Sequence, residues 1–123
     1  MKNKITKFED LKIWQESHRL AMEIYVITRS FPKDELYGLV SQLRRSSLSI
    51  PANIIEGFYR YSTKELIQFL INARGSTGET IYHLLVSKDL KYINEDNYSR
   101  LRQRYEILAM SINALINSLR KKK

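Results

Sequence analysis

"RRSSLSIPANIIEG", residues 44–57, decides how this chain folds. Pro51 removes a backbone donor, and its ring strikes the carbonyl of Ser47, a fault of about 3 kcal/mol in a helix interior. Yet Leu36, Val40, Leu43, Ser47, Ile50 and Ile54 recur at alternating spacings of four and three residues, a heptad seam that keeps its phase through the proline. Two helices joined by a loop would have no reason to hold that register. The spacing predicts one helix beginning near Asp34 and kinked at Pro51. Leu48, Ala52, Ile55 and Tyr59 form another apolar stripe, well around the helix from the seam. A monomeric bundle needs only one seam, so this second stripe predicts an oligomer interface with another subunit.

On either side the period stays helical, and no strand-like alternation appears. Residues 8–30 carry Leu11, Trp14, His18, Ala21 and Tyr25 on one stripe, with Ile13, Leu20, Ile24 and Ile27 beside it, so this helix is expected to be covered on two sides. Pro32 ends it. Ser62 and Glu65 stand at capping-box spacing before a third helix bearing Leu66, Phe69, Leu70, Ala73, Thr77, Ile81 and Leu84. Gly75 and Gly78 lie inside it, where each costs nearly 1 kcal/mol relative to alanine, and they are expected to admit another backbone closely. Asn94 caps a fourth helix with the cleanest seam: Tyr98, Leu101, Tyr105, Leu108, Ile112, Leu115 and Leu119. Long helices with short connections give an all-α, antiparallel up-down-up-down four-helix bundle with a proline-kinked second helix.

The chain's 123 residues fit one domain, spanning 1–123 with basic termini at 1–7 and 120–123. The net charge is +8, and Lys2, Lys4, Lys7, Arg120, Lys121, Lys122 and Lys123 account for nearly all of it, leaving a nearly neutral body. Cysteine is absent, which excludes disulfides and thiolate metal sites. The opening residues lack the apolar run of a signal peptide, and "AMEIYVI" is too short and too acidic to span a membrane, so a cytoplasmic protein is expected.

Catalytic chemistry finds little support. His18 and His83 have no partner at metal-ligand spacing, and His18, on a seam position, is expected in the core. No nucleophile elbow is present. "GSTG" at 75–78 matches a KH-type GXXG, but the strands of that fold are missing, and Glu79 and Thr80 stand where a phosphate loop needs lysine. Glu56 and Glu79 lack the Glu-x-x-His spacing of a two-metal bundle. They are expected to pair with Arg44, Arg45 or Arg74, with phosphate binding as the alternative use of those arginines. The expectation is a non-enzyme without cofactor or metal.

Three blocks, "FEDLKIWQESHRLAMEIY", "FPKDELYGLVSQLRRSSLSIPANIIEGFYR" and "FLINARGSTGE", resemble those of the four-helix bundle proteins called 23S rRNA intervening-sequence proteins, in order and spacing, over residues 8–93. The fourth helix matches in pattern alone. The resemblance implies a bacterial, ribosomal-protein-like chain that closes into a homopentamer. It also implies likeness in fold to the accessory protein of diversity-generating retroelements, which binds nucleic acid and a reverse transcriptase.

Two functions follow from residues and resemblance together. One is association with RNA or DNA through the basic ends, which an up-down-up-down bundle gathers at one pole, with Arg100, Arg102 and Arg104 as a secondary strip. The other is a homo-oligomeric scaffold for a protein partner. No base-reading pattern stands out, since the tyrosines fall mostly on seams rather than among arginines.

Overall fold

The computed structural model describes residues 6–121. Within them lie four α-helices: α1 (Lys12–Thr28), α2 (Leu39–Phe58), α3 (Thr63–Asp89) and α4 (Glu95–Lys121). No strand occurs among the described residues.

The helix ends follow local chemistry. A short 3-10 turn, Phe8–Asp10, leads into α1, and Thr28 closes it with its hydroxyl on the Ile24 carbonyl at 2.7 Å. α2 starts at Leu39, later than the seam predicts. Lys33–Glu35 forms a separate 3-10 turn, and Gly38, at ψ −108°, is not helical. The Glu35 carboxylate accepts from the Leu39 N–H at 3.1 Å, taking the capping role. Leu36 therefore drops off the seam and stands exposed, and the buried row begins at Val40.

From there α2 runs unbroken through a buried Pro51, and Val40, Leu43, Ser47, Ile50 and Ile54 are all buried. Ser62 caps α3, accepting from the Glu65 N–H at 3.0 Å. α3 ends in a Schellman turn: Tyr92 N–H reaches the Ser87 carbonyl at 2.8 Å, with Lys91 at φ 67°. Asn94 caps α4 through the Asn97 N–H at 2.7 Å.

Contacts between helices fix their directions. Ser46 meets Thr80, Ser49 meets Ser76, and Gly57 lies against Leu66. Arg74 bonds Asn113, while Lys88 lies over the Tyr98 ring at 5.0 Å. Arg44 reaches Thr28, and Phe8 neighbours Tyr59. Arg104 takes Glu16, and Arg100 takes Glu23. In every pair, later residues of one helix meet earlier residues of the other, so adjacent helices run antiparallel. The buried cluster draws on all four helices, from Leu20 and Ile24 through Leu43, Ile50, Leu70 and Leu84 to Leu101, Leu108, Ile112 and Ile116.

The α2–α3 seam is close and partly polar. Thr80 Oγ1 sits 2.8 Å from Ser46 Oγ, and Ser49 and Ser76 hydroxyls are 2.9 Å apart. Small hydroxyl side chains let the backbones approach while pairing one another. At the C-terminal end of α2 the approach is tighter. A Cβ on Gly57 would meet Leu66 Cδ1 at 2.9 Å and Phe69 Cβ at 3.1 Å.

Two positions differ from expectation within the bundle. Gly75 and Gly78 are exposed, with nothing within 4 Å of an added Cβ, so no other helix among the described residues approaches them. Ala73, Thr77 and Thr80 face inward instead. His18 is exposed and stacked on Trp14, 4.9 Å between ring centroids, rather than held in the core. α1 buries Ser17, Leu20, Ala21, Ile24 and Thr28, a row that draws on both stripes.

Candidate functional site

Three surfaces bear on function. The first is the end of the bundle where α1 and α3 begin and α2 and α4 finish. There Leu11, Ile54, Phe58, Leu66 and Leu115 line a depression of about 180 Å³. Of the residues expected to form a basic pole, Lys7, Arg120 and Lys121 belong to this end and are exposed. Lys2, Lys4, Lys122 and Lys123 lie outside the described residues. The fold adds Lys12, Arg60 and Lys64 to the same end, all exposed, against the carboxylates of Glu9, Asp10, Glu56 and Glu65. Those three cations are scattered along the sequence, and only the antiparallel arrangement collects them. Tyr61, in the α2–α3 connection, stands fully exposed among them.

The second surface is the outer face of α2. Leu48, Ala52 and Tyr59 are exposed and Ile55 is half-buried, so the stripe is left largely uncovered among the described residues. Aromatic rings extend it onto α1: Tyr59 neighbours Phe8 at 6.4 Å, and Phe8 meets Trp14 at 5.1 Å. The indole Nε1 of Trp14 is shielded from solvent and finds no acceptor among the described residues. An apolar patch of this extent ordinarily marks a contact surface.

The third is the α1–α4 seam, and it changes the reading of the arginine strip. Arg100 bonds Glu23 at 2.8 Å, Arg102 bonds Glu106 at 3.1 Å and the Tyr98 hydroxyl at 2.7 Å, and Arg104 forks between Glu16 at 3.1 Å and Glu23. Each of the three spends its charge on a carboxylate, so they form no free basic strip. Burial pushes the Glu23 carboxyl up, but hydrogen bonds from Arg100 and Arg104 outweigh it and hold that carboxyl below its ordinary range. The neighbouring Tyr105 hydroxyl is buried without a partner among the described residues, and burial pushes its pKa up. The intervals Glu16–Glu23 and Arg100–Arg104 are the sequence signal for this network, legible only once α1 and α4 are known to be antiparallel.

The acidic residues singled out in the sequence divide. Glu79 pairs with Arg45, as expected, and lies 3.4 Å from His83 Nε2. Glu56 pairs with Arg60 at 3.0 Å, a partner not foreseen, because the i,i+4 neighbour outcompetes distant arginines. Arg74 goes to Asn113 and Arg44 to Thr28 and the Tyr25 carbonyl. No cluster of three metal-ligating side chains occurs among the described residues, and none of their helices is long and apolar enough to cross a membrane.

These features define an all-helical four-helix bundle protein with an uncovered apolar stripe and a basic end. The chain belongs to the 23S rRNA-intervening sequence protein family, whose sequence model matches residues 9–114. The match takes in most of α4, beyond the span where the sequence blocks themselves show the resemblance. A crystal structure of a protein of unknown function from the S23 ribosomal protein family of Bacteroides thetaiotaomicron is similar in fold. It has TM-score 0.77 and 23% identity, over 85% of this chain and 97% of that one. Comparison with curated proteins gives no match.

Proposed function

We propose that this protein is a non-enzymatic homo-oligomer of the cytoplasm that associates with RNA or DNA through its basic end. The observation that carries this reading is the gathering of Lys7, Lys12, Lys64, Arg120 and Lys121 at one end of the bundle, with Arg60 there paired to Glu56. Clustered like charge attracts a polyanion and releases its counterions, with little demand on sequence. The outer face of α2 supplies the subunit contact, and a cyclic assembly, a pentamer by family resemblance, would repeat the basic end around a rim. Membership in a family named for ribosomal RNA insertions favours RNA among polyanions.

The test compares the parent with a variant lacking residues 120–123 and carrying Lys2, Lys4 and Lys7 as serine. Loss of binding to single-stranded RNA at low salt supports the reading, and parent-like binding contradicts it. A second reading, an oligomeric scaffold for a protein partner, is favoured by the carboxylate pairing of Arg100, Arg102 and Arg104, which leaves the body of the bundle nearly neutral. That reading wins if the parent itself binds no nucleic acid at low salt.

A further inference from the structure

Arg44 occupies a different position from the other arginines of the bundle. Its Nε donates to the Thr28 hydroxyl at 3.0 Å and its Nη2 to the Tyr25 carbonyl at 3.4 Å, and both acceptors are neutral. The guanidinium also lies over the Tyr25 ring, 4.5 Å from its centroid. Among the described residues no carboxylate stands within salt-bridge distance of it, nor of Arg29 or Lys33. A guanidinium carries five N–H donors, so most of Arg44's remain to be used.

Two depressions meet at this side chain. One, of about 140 Å³, is lined by Arg29, Lys33 and Arg44 with Phe31 and Pro32. The other, of about 410 Å³, is lined by Arg44, Arg45, Ser41, Tyr25 and Tyr37. Tyr37 is 92% exposed, projecting from the turn before α2 with no packing that would account for a tyrosine there. Of the nearby carboxylates, Glu79 pairs with Arg45, while Glu35 accepts from the neutral Leu39 N–H and Tyr92 Oη. Asp34, exposed in the same turn, is the acid that offsets Lys33.

A fixed guanidinium with no carboxylate at salt-bridge distance, beside Arg29, Lys33 and a projecting aromatic ring, is the arrangement that takes a phosphate and its adjacent base. Arginine presents a planar fork to phosphate oxygens, and a tyrosine face stacks any base without regard to sequence. We infer that the Arg44 depression is a second nucleic-acid contact, which takes a phosphodiester of a single strand on Arg44 and Lys33 and stacks the neighbouring base on Tyr37. This rests on the nucleic-acid reading but places a contact at the opposite end of α2 from the basic pole. It also assigns a strand type, because a paired base has no free face to offer Tyr37. Leu48 lines the depression and also begins the apolar stripe, so the site abuts the N-terminal end of the proposed subunit contact.

The test uses full-length protein and a short labelled oligouridylate at low salt, with the matching RNA duplex, free uridine monophosphate and polyglutamate as competitors. Tyr37→Ala and Lys33→Ser change exposed side chains and leave the core intact, whereas Arg44→Gln also removes an α1–α2 contact and is read only if its melting curve matches the parent. Tyr37→Ala is expected to weaken single-strand binding about tenfold and duplex binding little. Lys33→Ser is expected to reduce the salt slope by about 0.7. Competition by the oligonucleotide well below the concentration needed for the monophosphate supports a strand, and the reverse order overturns that assignment in favour of a free nucleotide. Equal competition by polyglutamate overturns the inference in favour of an acidic protein partner. If Tyr37→Ala and Lys33→Ser bind like the parent while the pole variant loses binding, the Arg44 site is wrong and the pole reading stands. If the parent binds no oligouridylate, both fall.

Discussion

The hydroxyl of Tyr105 sits in the core of the bundle without a hydrogen-bond partner among the described residues, and its side chain is fully buried. Leaving a buried hydroxyl unsatisfied costs about 1–3 kcal/mol. Tyr105→Phe keeps the ring and removes the orphan, so it should raise stability by about 1 kcal/mol, or about 4 °C in melting temperature. A lower melting temperature would mean that the hydroxyl has a partner in solution. At the same scale, the sequence misled about His18. Its place in an apolar stripe argued for the core, yet α1 turns Ser17 and Thr28 inward instead. Both hydroxyls are satisfied by their own helix, Ser17 on the Trp14 carbonyl at 3.0 Å and Thr28 on Ile24, so they bury without penalty. Counting apolar residues cannot see that. Tyr37 was missed for a related reason: its neighbours Arg44 and Arg45 are seven and eight residues further on, and only the turn geometry before α2 opens the space between them.

At the scale of elements, the helices themselves were legible. Capping residues Ser62 and Asn94 and the stop at Pro32 fall where their chemistry places them, and the α4 seam holds from Tyr98 to Ile112. It then shifts, burying Ile116 while Leu115 and Leu119 are half-buried, because a straight helix drifts from a strict seven-residue repeat. Pro51 is the element that most needs explaining. Its ring is buried, and its missing N–H leaves the Ser47 carbonyl without the usual donor. If α2 is shaped around the proline, Pro51→Ala loses buried ring atoms and loosens the unfolded chain, and the new N–H cannot reach Ser47 without repacking Ile50 and Ile54. Calorimetry should then show a loss of about 1 kcal/mol. A gain would show that the helix straightens freely and has no built-in bend.

The α1–α4 seam depends on pH in a defined direction. The Glu23 carboxyl is held low in the folded state by Arg100 and Arg104, so its contribution is complete above the ordinary glutamate range. That contribution is lost as pH falls through the depressed folded value. Parent protein should therefore lose melting temperature in acid more steeply than Glu23→Gln, which is less stable at neutral pH. Parallel curves would remove Glu23 from the account of this seam.

For the whole molecule, the fold and family were readable from sequence, whereas the surfaces were readable only in part. The α2 stripe was visible because its spacing is regular. The basic end was half visible: the termini announce themselves, but Lys12, Arg60 and Lys64 join them only through antiparallel packing. The arginine strip looks different in the fold: Arg100 and Arg104 meet Glu16 and Glu23 across a seam that sequence does not show, and Arg102 pairs with Glu106 on its own helix. Assembly has its own check. Ile55→Arg places a charge in the middle of the stripe and should reduce the mass measured by light scattering to that of a monomer, with helical circular dichroism retained. A parent that is already monomeric at micromolar concentration would end the oligomer proposal.

The most direct test of the central claim, that charge at the basic end binds nucleic acid, is the affinity of the parent protein for single-stranded RNA measured across a salt series. The account predicts a log-linear fall with salt, of slope about −0.7 for each phosphate neutralised, and a shallower line for the variant stripped of its terminal cations. No binding at the lowest salt, or an affinity indifferent to salt, would contradict it.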